Sequence, residues 1–380
     1  MTVYRDRKYS YNDIVIEPAV VSSINHRDEC KVLDDKNMLP IFASPMSSVV
    51  STTNFELFYN NHITPILPRN YSLALRTAYA KDGSWVAFGL TEFRDLFLNP
   101  HANSEFVSNE KVMYILIDIA NGHMKSLYET VAEAKEIYNS KMVLMIGNIA
   151  NPLTYIEAAK AGADYVRLSV GTGSCCITST QLGVHYPIAS LINDTYLIKQ
   201  QILDGKHGNI TKTPYIVADG GIRDYSDVIK ALALGADFVM IGGVFASLIE
   251  SAAPLFLSTE VNNKADIYNN DDFRLKEENG IIFNEQNDKE RYHVHDFYKV
   301  MYGMASKSGQ MELKGCKSSP VEGIKRKIPV TTNLYKWANN MMGYLQSAMS
   351  YCNIKEINKF NPMHVDCNLI TQNAYNAINK

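Results

Sequence analysis

The 380-residue sequence has no apolar run long enough to cross a bilayer, since a spanning helix needs about 20 predominantly apolar residues in succession. Its first residues, MTVYRDRKYSYND, lack the apolar core of a secretory leader. There is little excess of charge: 37 Lys and Arg against 40 Asp and Glu give a net charge of −3 and a pI near 6.3. That balance disfavours a nucleic-acid tail or a basic membrane-binding stripe. The six cysteines, Cys30, Cys175, Cys176, Cys316, Cys352 and Cys367, contain no Cys-x-x-Cys pair. Free thiols in a reducing cytoplasm are expected rather than a disulfide framework. His185, His293 and His295 make no convincing metal cluster.

What is present is a rhythm. Eight short apolar runs recur at 39–44, 62–67, 85–90, 112–118, 142–148, 164–170, 214–220 and 237–243. Runs of this length bounded by turn residues suit buried parallel strands. Amphipathic stretches such as SLYETVAEAKEIYNS and SDVIKALALGA lie between them. Strand–helix alternation repeated eight times predicts an α/β fold, a (β/α)8 barrel rather than an open doubly wound sheet. The units AAKAGADYVRLSVGTG (158–173) and KALALGADFVMIGG (230–243) echo each other, each with a helix end, Gly-Ala-Asp, a strand and a Gly-rich loop. With 46% hydrophobic residues the chain can bury a sizeable core as one domain over 1–380. A polar insertion is expected at 258–298 after the eighth strand, in the form of a β-hairpin excursion. A Gly-, Lys- and Ser-rich mobile flap is expected at 303–330 and a C-terminal helical segment at 331–380.

Barrel enzymes carry their chemistry on loops at the C-terminal ends of strands. Here those loops are Gly171-Thr172-Gly173-Ser174-Cys175-Cys176 after strand six, Asp219-Gly220-Gly221 after strand seven and Gly242-Gly243 after strand eight. Glycines at these places let backbone N–H groups approach a phosphate. A cysteine beside such a site is a candidate nucleophile, because the thiolate is the reactive form. Spacing alone does not choose between Cys175 and Cys176.

With these residues on view, the chain resembles the IMP dehydrogenase and GMP reductase family. The resemblance runs from YSYNDIVIEP (9–18) to SAMSYC (347–352). It is carried by SPM (44–46), DIANGH (118–123), GTGSCCITSTQLGVHYP (171–187), DGGIRDYSDVIKALALGADFVMIGG (219–243), YGMAS (302–306) and VEG (321–323). The family implies a (β/α)8 barrel, a homotetramer, and action on a purine nucleoside 5′-monophosphate, GMP or IMP. In its pattern the nucleophile is Cys176, adding to C2 of the purine, and Cys175 is a packed spacer. Thr178 and Glu322 are implied as general acid and supporting carboxylate. The nucleotide would be held by Ser44, Met46, Ser174, Asp219, Gly220, Gly221, Gly242, Gly243, Tyr302, Gly303 and Met304, with Asp219 on the ribose. Arg69, Asp118, Ile119, Ala120, Asn121, Gly122, Val170 and Gly171 would hold the nicotinamide cofactor, NADPH in a reductase and NAD in a dehydrogenase. Carbonyls of Gly171, Gly173 and Cys176 resemble the family's potassium site.

The resemblance is closer to the reductase. Dehydrogenases carry an Arg-Tyr pair on the flap for hydrolysis, and ASKSGQMELKGCKSSPVEG has none. No pair of cystathionine-synthase-type regulatory modules is present. SPM and GMAS lean towards the dehydrogenase. Ser47 stands where both enzymes usually carry Asp, and Arg69 where reductases usually carry Lys. Dehydrogenation of IMP, a nucleotide-binding homologue without turnover, and a modified purine substrate are the alternatives.

Overall fold

The computed structural model describes residues 6–378 apart from 101–103, 209, 211, 258–266, 269–274, 279–280, 285–286, 294–295, 304–305 and 315–321. Met304, Cys316 and His295 therefore lie outside the described residues.

All eight apolar runs contain strands: β1 Ile41–Ala43, β2 Thr64–Pro65, β3 Trp85–Phe88, β4 Met113–Asp118, β5 Met142–Ile149, β6 Tyr165–Leu168, β7 Tyr215–Asp219 and β8 Phe238–Ile241. They form one parallel sheet in the order β2-β1-β8-β7-β6-β5-β4-β3. A parallel bridge from Leu67, just past β2, to Val86 of β3 closes it, with Leu67 N–H donating to Trp85 O and Ala87 N–H to Leu67 O, both 2.9 Å. The result is the expected (β/α)8 barrel.

Side chains alternate across each strand, which sorts the strand residues into two cores. Phe42, Ile66, Trp85, Ala87, Leu116, Met145, Val217 and Met240 make a small inner cluster. Their neighbours Ile41, Val86, Phe88, Ile115, Leu144, Ile216 and Val239 belong to the larger outer core, packed with the helices. Aromatic rings from the first or second residues of their strands close the barrel floor. Trp85 meets Tyr165 edge-on at 5.3 Å, and Phe42 lies 5.5 Å from Trp85 and 5.2 Å from Phe238.

The helices follow the amphipathic spacing. Lys125–Tyr138 (α4) buries Leu127, Thr130, Val131, Ala134 and Tyr138, one stripe at helical period. The other barrel helices are α1 Phe55–Asn60, α2 Leu73–Lys81, α3 Leu90–Phe93, α5 Thr154–Lys160, α6 Ile188–Leu203, α7 Tyr225–Ala233 and, after the insertion, α8 Leu334–Tyr351. Asp224 and Asn333 cap α7 and α8 by accepting the N–H of Asp227 and Lys336. Trp337 of α8 stacks on Tyr225 and meets Phe245 edge-on, so α8 covers the side of the barrel next to α7. The two Gly-Ala-Asp turns make the same bonds. Asp164 accepts from Leu144 N–H and pairs with Lys135, while Asp237 accepts from Ile216 N–H and pairs with Lys199. In both, the helix-end glycine has positive φ, +84° at Gly162 and +103° at Gly235.

Beyond β8 the chain builds more sheet than a hairpin. Leu255–Leu257 pairs antiparallel with Phe297–Tyr302, which pairs in turn with Lys325–Pro329. Leu275–Glu278, Ile281–Asn284 and Asn287–His293 form a separate three-stranded sheet. The flap region contains a helix, Lys307–Lys314. The C-terminal segment is not wholly helical: Cys367–Leu369 returns to pair with Ile14–Ile16. Lys299, fully buried, joins the insertion sheet to the barrel by donating to Ile249 O, Ser251 O and Ser251 Oγ at 2.7–2.8 Å. No helix among the described residues is long and apolar enough to cross a membrane.

Candidate active site

A cavity of about 790 Å³ opens at the C-terminal ends of the strands, within the range of small-molecule sites. Its walls contain every described candidate from the sequence except Asn121, Gly122 and Tyr302. Asn121 and Gly122 lie in the turn behind the wall. Asn121 Oδ1 accepts from His123 N–H, and Gly122 N–H donates to Asn148 O at 2.9 Å. Tyr302 donates its phenol to Glu312 at 3.0 Å.

The loop after β6 is bent tightly. Gly171 has φ +80°, and a Cβ there would stand 2.6 Å from Ser179 Cβ, so only glycine fits. Ser179 Oγ donates to Gly171 O, and Cys176 N–H to Gly173 O. This turn separates the two thiols. Cys175 is 3% exposed and its backbone packs beneath Gly303. Burial pushes its thiol pKa up. Cys176 is half-buried in the cavity wall with Sγ 3.2 Å from Thr178 Oγ1. Thr178 donates its single proton to Glu322 Oε2 at 2.7 Å. Its oxygen can then accept from the Cys176 thiol, which makes a proton line from sulfur to carboxylate.

Glu322 is carried there by backbone pairing. Ile177 N–H donates to Glu322 O and Ile324 N–H to Cys175 O, both 2.9 Å, around an antiparallel bridge from Cys176 to Gly323. Two segments far apart in sequence are zipped together where the Cys176 thiol and the Glu322 carboxylate meet.

Beside the sulfur is a glycine cradle. Gly220 and Gly221 have φ of +85° and +77°. A Cβ at Gly220 would stand 2.6 Å from Thr172 Oγ1, and one at Gly243 2.8 Å from Ser174 Oγ. Gly242 faces Met46 Sδ in the same way, at 2.9 Å. These angles and close contacts favour glycine, and all four glycines line the cavity, where backbone N–H groups can approach an anion.

A buried arginine that sequence reasoning missed spans the cavity floor. Arg167 of β6 is 6% exposed. Its Nη1 donates to Asp118 Oδ1 at 2.7 Å, and Nε and Nη2 donate to Asp219 Oδ2 at 3.1 and 2.9 Å. Asn148 Nδ2 also donates to Asp219 at 2.7 Å. Burial alone would lower the arginine's pKa, but the two carboxylates outweigh it and hold the group above its ordinary value. A lone arginine inside a buried strand must find carboxylates, a signal the sequence did carry.

The other half of the cavity is set by Arg69. It donates from Nη1 to Asp118 O at 3.3 Å, and its Nε lies 3.4 Å from Glu92 Oε2 without a hydrogen-bond partner among the described residues. Burial would raise the Glu92 pKa, but Arg76, 2.8 Å away, and Gly89 N–H hold the carboxyl below its usual range. Among the described residues no group of three or more His, Cys, Asp or Glu is placed to hold a metal ion.

Comparison with known proteins decides the relationship. Residues 99–377 match the model of the IMP dehydrogenase / GMP reductase domain. The chain belongs to the IMP dehydrogenase / GMP reductase family. Similar relatives include a protein named GMP reductase from Caenorhabditis elegans, 27% identical over 84% of this chain and 78% of that protein. Another named GMP reductase, from Escherichia coli, is 26% identical over 94% and 95%. An inosine-5′-monophosphate dehydrogenase from Chlorobaculum parvum is 32% identical over 64% of this chain and 42% of its own length. The family consists of oxidoreductases acting on purine nucleotides with nicotinamide cofactors.

Proposed function

We propose that the chain catalyses the reductive deamination of GMP to IMP and ammonia, with Cys176 as nucleophile. The observation that carries this reading is the relay Cys176 Sγ–Thr178 Oγ1–Glu322 Oε2, at 3.2 and 2.7 Å, in the wall of a cavity that Gly220, Gly221, Gly242 and Gly243 also line. Cys176 gives its proton into the relay and its sulfur bonds to C2 of the purine, while a proton reaches the ring nitrogen. Thr178, backed by Glu322, returns a proton to the exocyclic amine, which leaves as ammonia. NADPH, when bound, supplies the hydride that replaces the amine at C2. The C–S bond then breaks, Cys176 departs as thiolate, and the proton added to the ring nitrogen leaves it and restores the thiol. Overall, GMP, NADPH and two protons give IMP, NADP⁺ and ammonium.

The chain's own residues support this assignment. Arg69, with an unsatisfied buried Nε, and the Asp118-Ile119-Ala120 segment form a polar wall suited to the cofactor. Asp219, fixed by Arg167 and Asn148, suits ribose hydroxyls better than a phosphate, since two anions repel. Gly171 and Gly173 carbonyls each accept one hydrogen bond, which leaves one lone pair apiece for a potassium ion, and no step depends on it. The tetramer, the cytoplasmic setting, and a single domain with insertion and flap complete the proposal.

Dehydrogenation of IMP is the second reading, favoured by the Chlorobaculum parvum relative. A panel of purine monophosphates with NADPH and NAD⁺, followed at 340 nm, separates the two. NADPH consumed with GMP supports the proposal, and NADH formed with IMP overturns it. Cys176→Ala should abolish turnover and Cys175→Ala should not. The reverse pattern would reject Cys176 as the nucleophile.

A further inference from the structure

Three chain segments meet on one oxygen at the edge of the cavity. Glu312, on helix Lys307–Lys314, accepts at Oε2 from Ser47 Oγ at 2.8 Å and from Tyr302 OH at 3.0 Å. The two hydroxyls are themselves 3.3 Å apart. Ser47 directly follows Pro45 and Met46, which line the cavity, and Tyr302 ends the strand Phe297–Tyr302, whose Met301 also lines it.

Bonds to an ionised carboxylate are the stronger kind, and here two converge on one acceptor. A tyrosine hydroxyl has a single proton. While it is given to Glu312, Tyr302 cannot donate to a phosphate. Tyr302 thus serves the flap rather than the glycine cradle in this structure.

The same helix carries Gln310 into the cavity wall. At about 100° per residue, positions 310 and 312 project from nearly opposite sides. Fastening Glu312 therefore sets the rotation of the helix and with it the place of Gln310. The helix start is held independently. Gly303 N–H donates to Ile324 O, and Ser306 accepts Gln310 N–H at its carbonyl and Gly309 N–H at Oγ. A carboxamide both donates and accepts, which suits the edge of a 6-oxopurine with its adjacent carbonyl and ring N–H.

We infer that Glu312 is a positioning residue: clasped by Ser47 and Tyr302, it fixes the flap helix so that Gln310 stands in the wall of the nucleotide pocket and reads the purine edge. The purine-reading part rests on the proposed function, whereas the clasp does not.

The test uses the full-length Glu312→Ala, Glu312→Gln, Ser47→Ala and Gln310→Leu proteins and the Ser47→Ala/Glu312→Ala double variant. Two readouts are taken: KM against kcat for GMP, and hydrogen exchange of the helix amides at 310–314. Glu312→Ala should raise KM for GMP about tenfold with kcat within threefold, and speed helix exchange at least tenfold. Glu312→Gln, which keeps an acceptor oxygen, should fall between it and wild type. The double variant should be no worse than Glu312→Ala alone, because both substitutions remove one contact. Gln310→Leu should raise KM without faster exchange. Unchanged exchange in Glu312→Ala, or fully additive effects of the two clasp substitutions, would overturn the clasp. An unchanged KM in Gln310→Leu would overturn the reading role. Should wild type turn over neither GMP nor IMP, the functional proposal fails, and the exchange data still judge the clasp.

Discussion

Arg167→Met is the most informative perturbation of the barrel. The guanidinium is buried and makes three hydrogen bonds to two carboxylates on different strands. Removing one partner of a buried ion pair costs about 3–5 kcal/mol. Asp118 and Asp219 have side chains 20% and 14% exposed, and Asp219 keeps Asn148. Water and the amide thus recover part of the loss, and the expected destabilisation lies at the low end, about 3 kcal/mol. With a urea slope of about 3 kcal/mol/M, the unfolding midpoint should drop by roughly 1 M. Arg167→Lys keeps the charge but not the fork that reaches both acids at once, and should lose about half as much. Because both acids line the cavity, and the proposed function gives Asp219 to the nucleotide and Asp118 to the cofactor, KM for both should rise together in both variants. Equilibrium unfolding by circular dichroism and two-substrate kinetics measure this. A Met variant within 0.2 M of wild type, or a change in only one KM, would refute the bridging role.

Glu322→Gln keeps the shape of the relay but removes its anionic end. It should lower kcat by about 10²–10³ with KM for GMP little changed, as read by steady-state kinetics. Gly171→Ala combines a positive φ with a Cβ 2.6 Å from Ser179. It should cost about 1–3 kcal/mol in unfolding experiments and slow alkylation of Cys176 or abolish turnover. His123 accepts Ala150 N–H at Nε2 and contacts Thr154 Oγ1 through Nδ1. The imidazole is therefore neutral, and burial lowers its pKa from 6.5. Its contribution should be intact above pH 6.5 and be lost as pH falls towards the lowered value. A His123→Phe variant should flatten that part of the stability–pH profile, and an unchanged profile would exclude the imidazole as its source.

Much of the barrel was legible because its strands are buried on both faces, so runs such as MVLMIGN and DFVMIGG stand out without alternation. The neighbourhood of Cys176 was legible for a related reason: glycines at Gly171, Gly220 and Gly221 hold backbone angles that other residues resist. The lone charge of Arg167 inside an apolar run was there to be read, but its partners Asp118 and Asp219 lie 49 and 52 residues away on other strands. The Glu312 clasp escaped because its partners lie 10 and 265 residues away, a proximity that no local periodicity encodes. The pairing of Ile14–Ile16 with Cys367–Leu369 was invisible likewise, being three residues long and set by the fold around it.

Thr178, two residues past the sulfur of Cys176, and the Glu322 carboxylate reach each other across 144 positions of chain. At about 5–20 residues per second, a ribosome needs roughly 7–30 s to travel that distance. A nascent chain thus exposes Cys176 well before the acid that completes its relay has been synthesised. Premature termination anywhere between the two would leave a polypeptide that has the thiol and lacks its carboxylate.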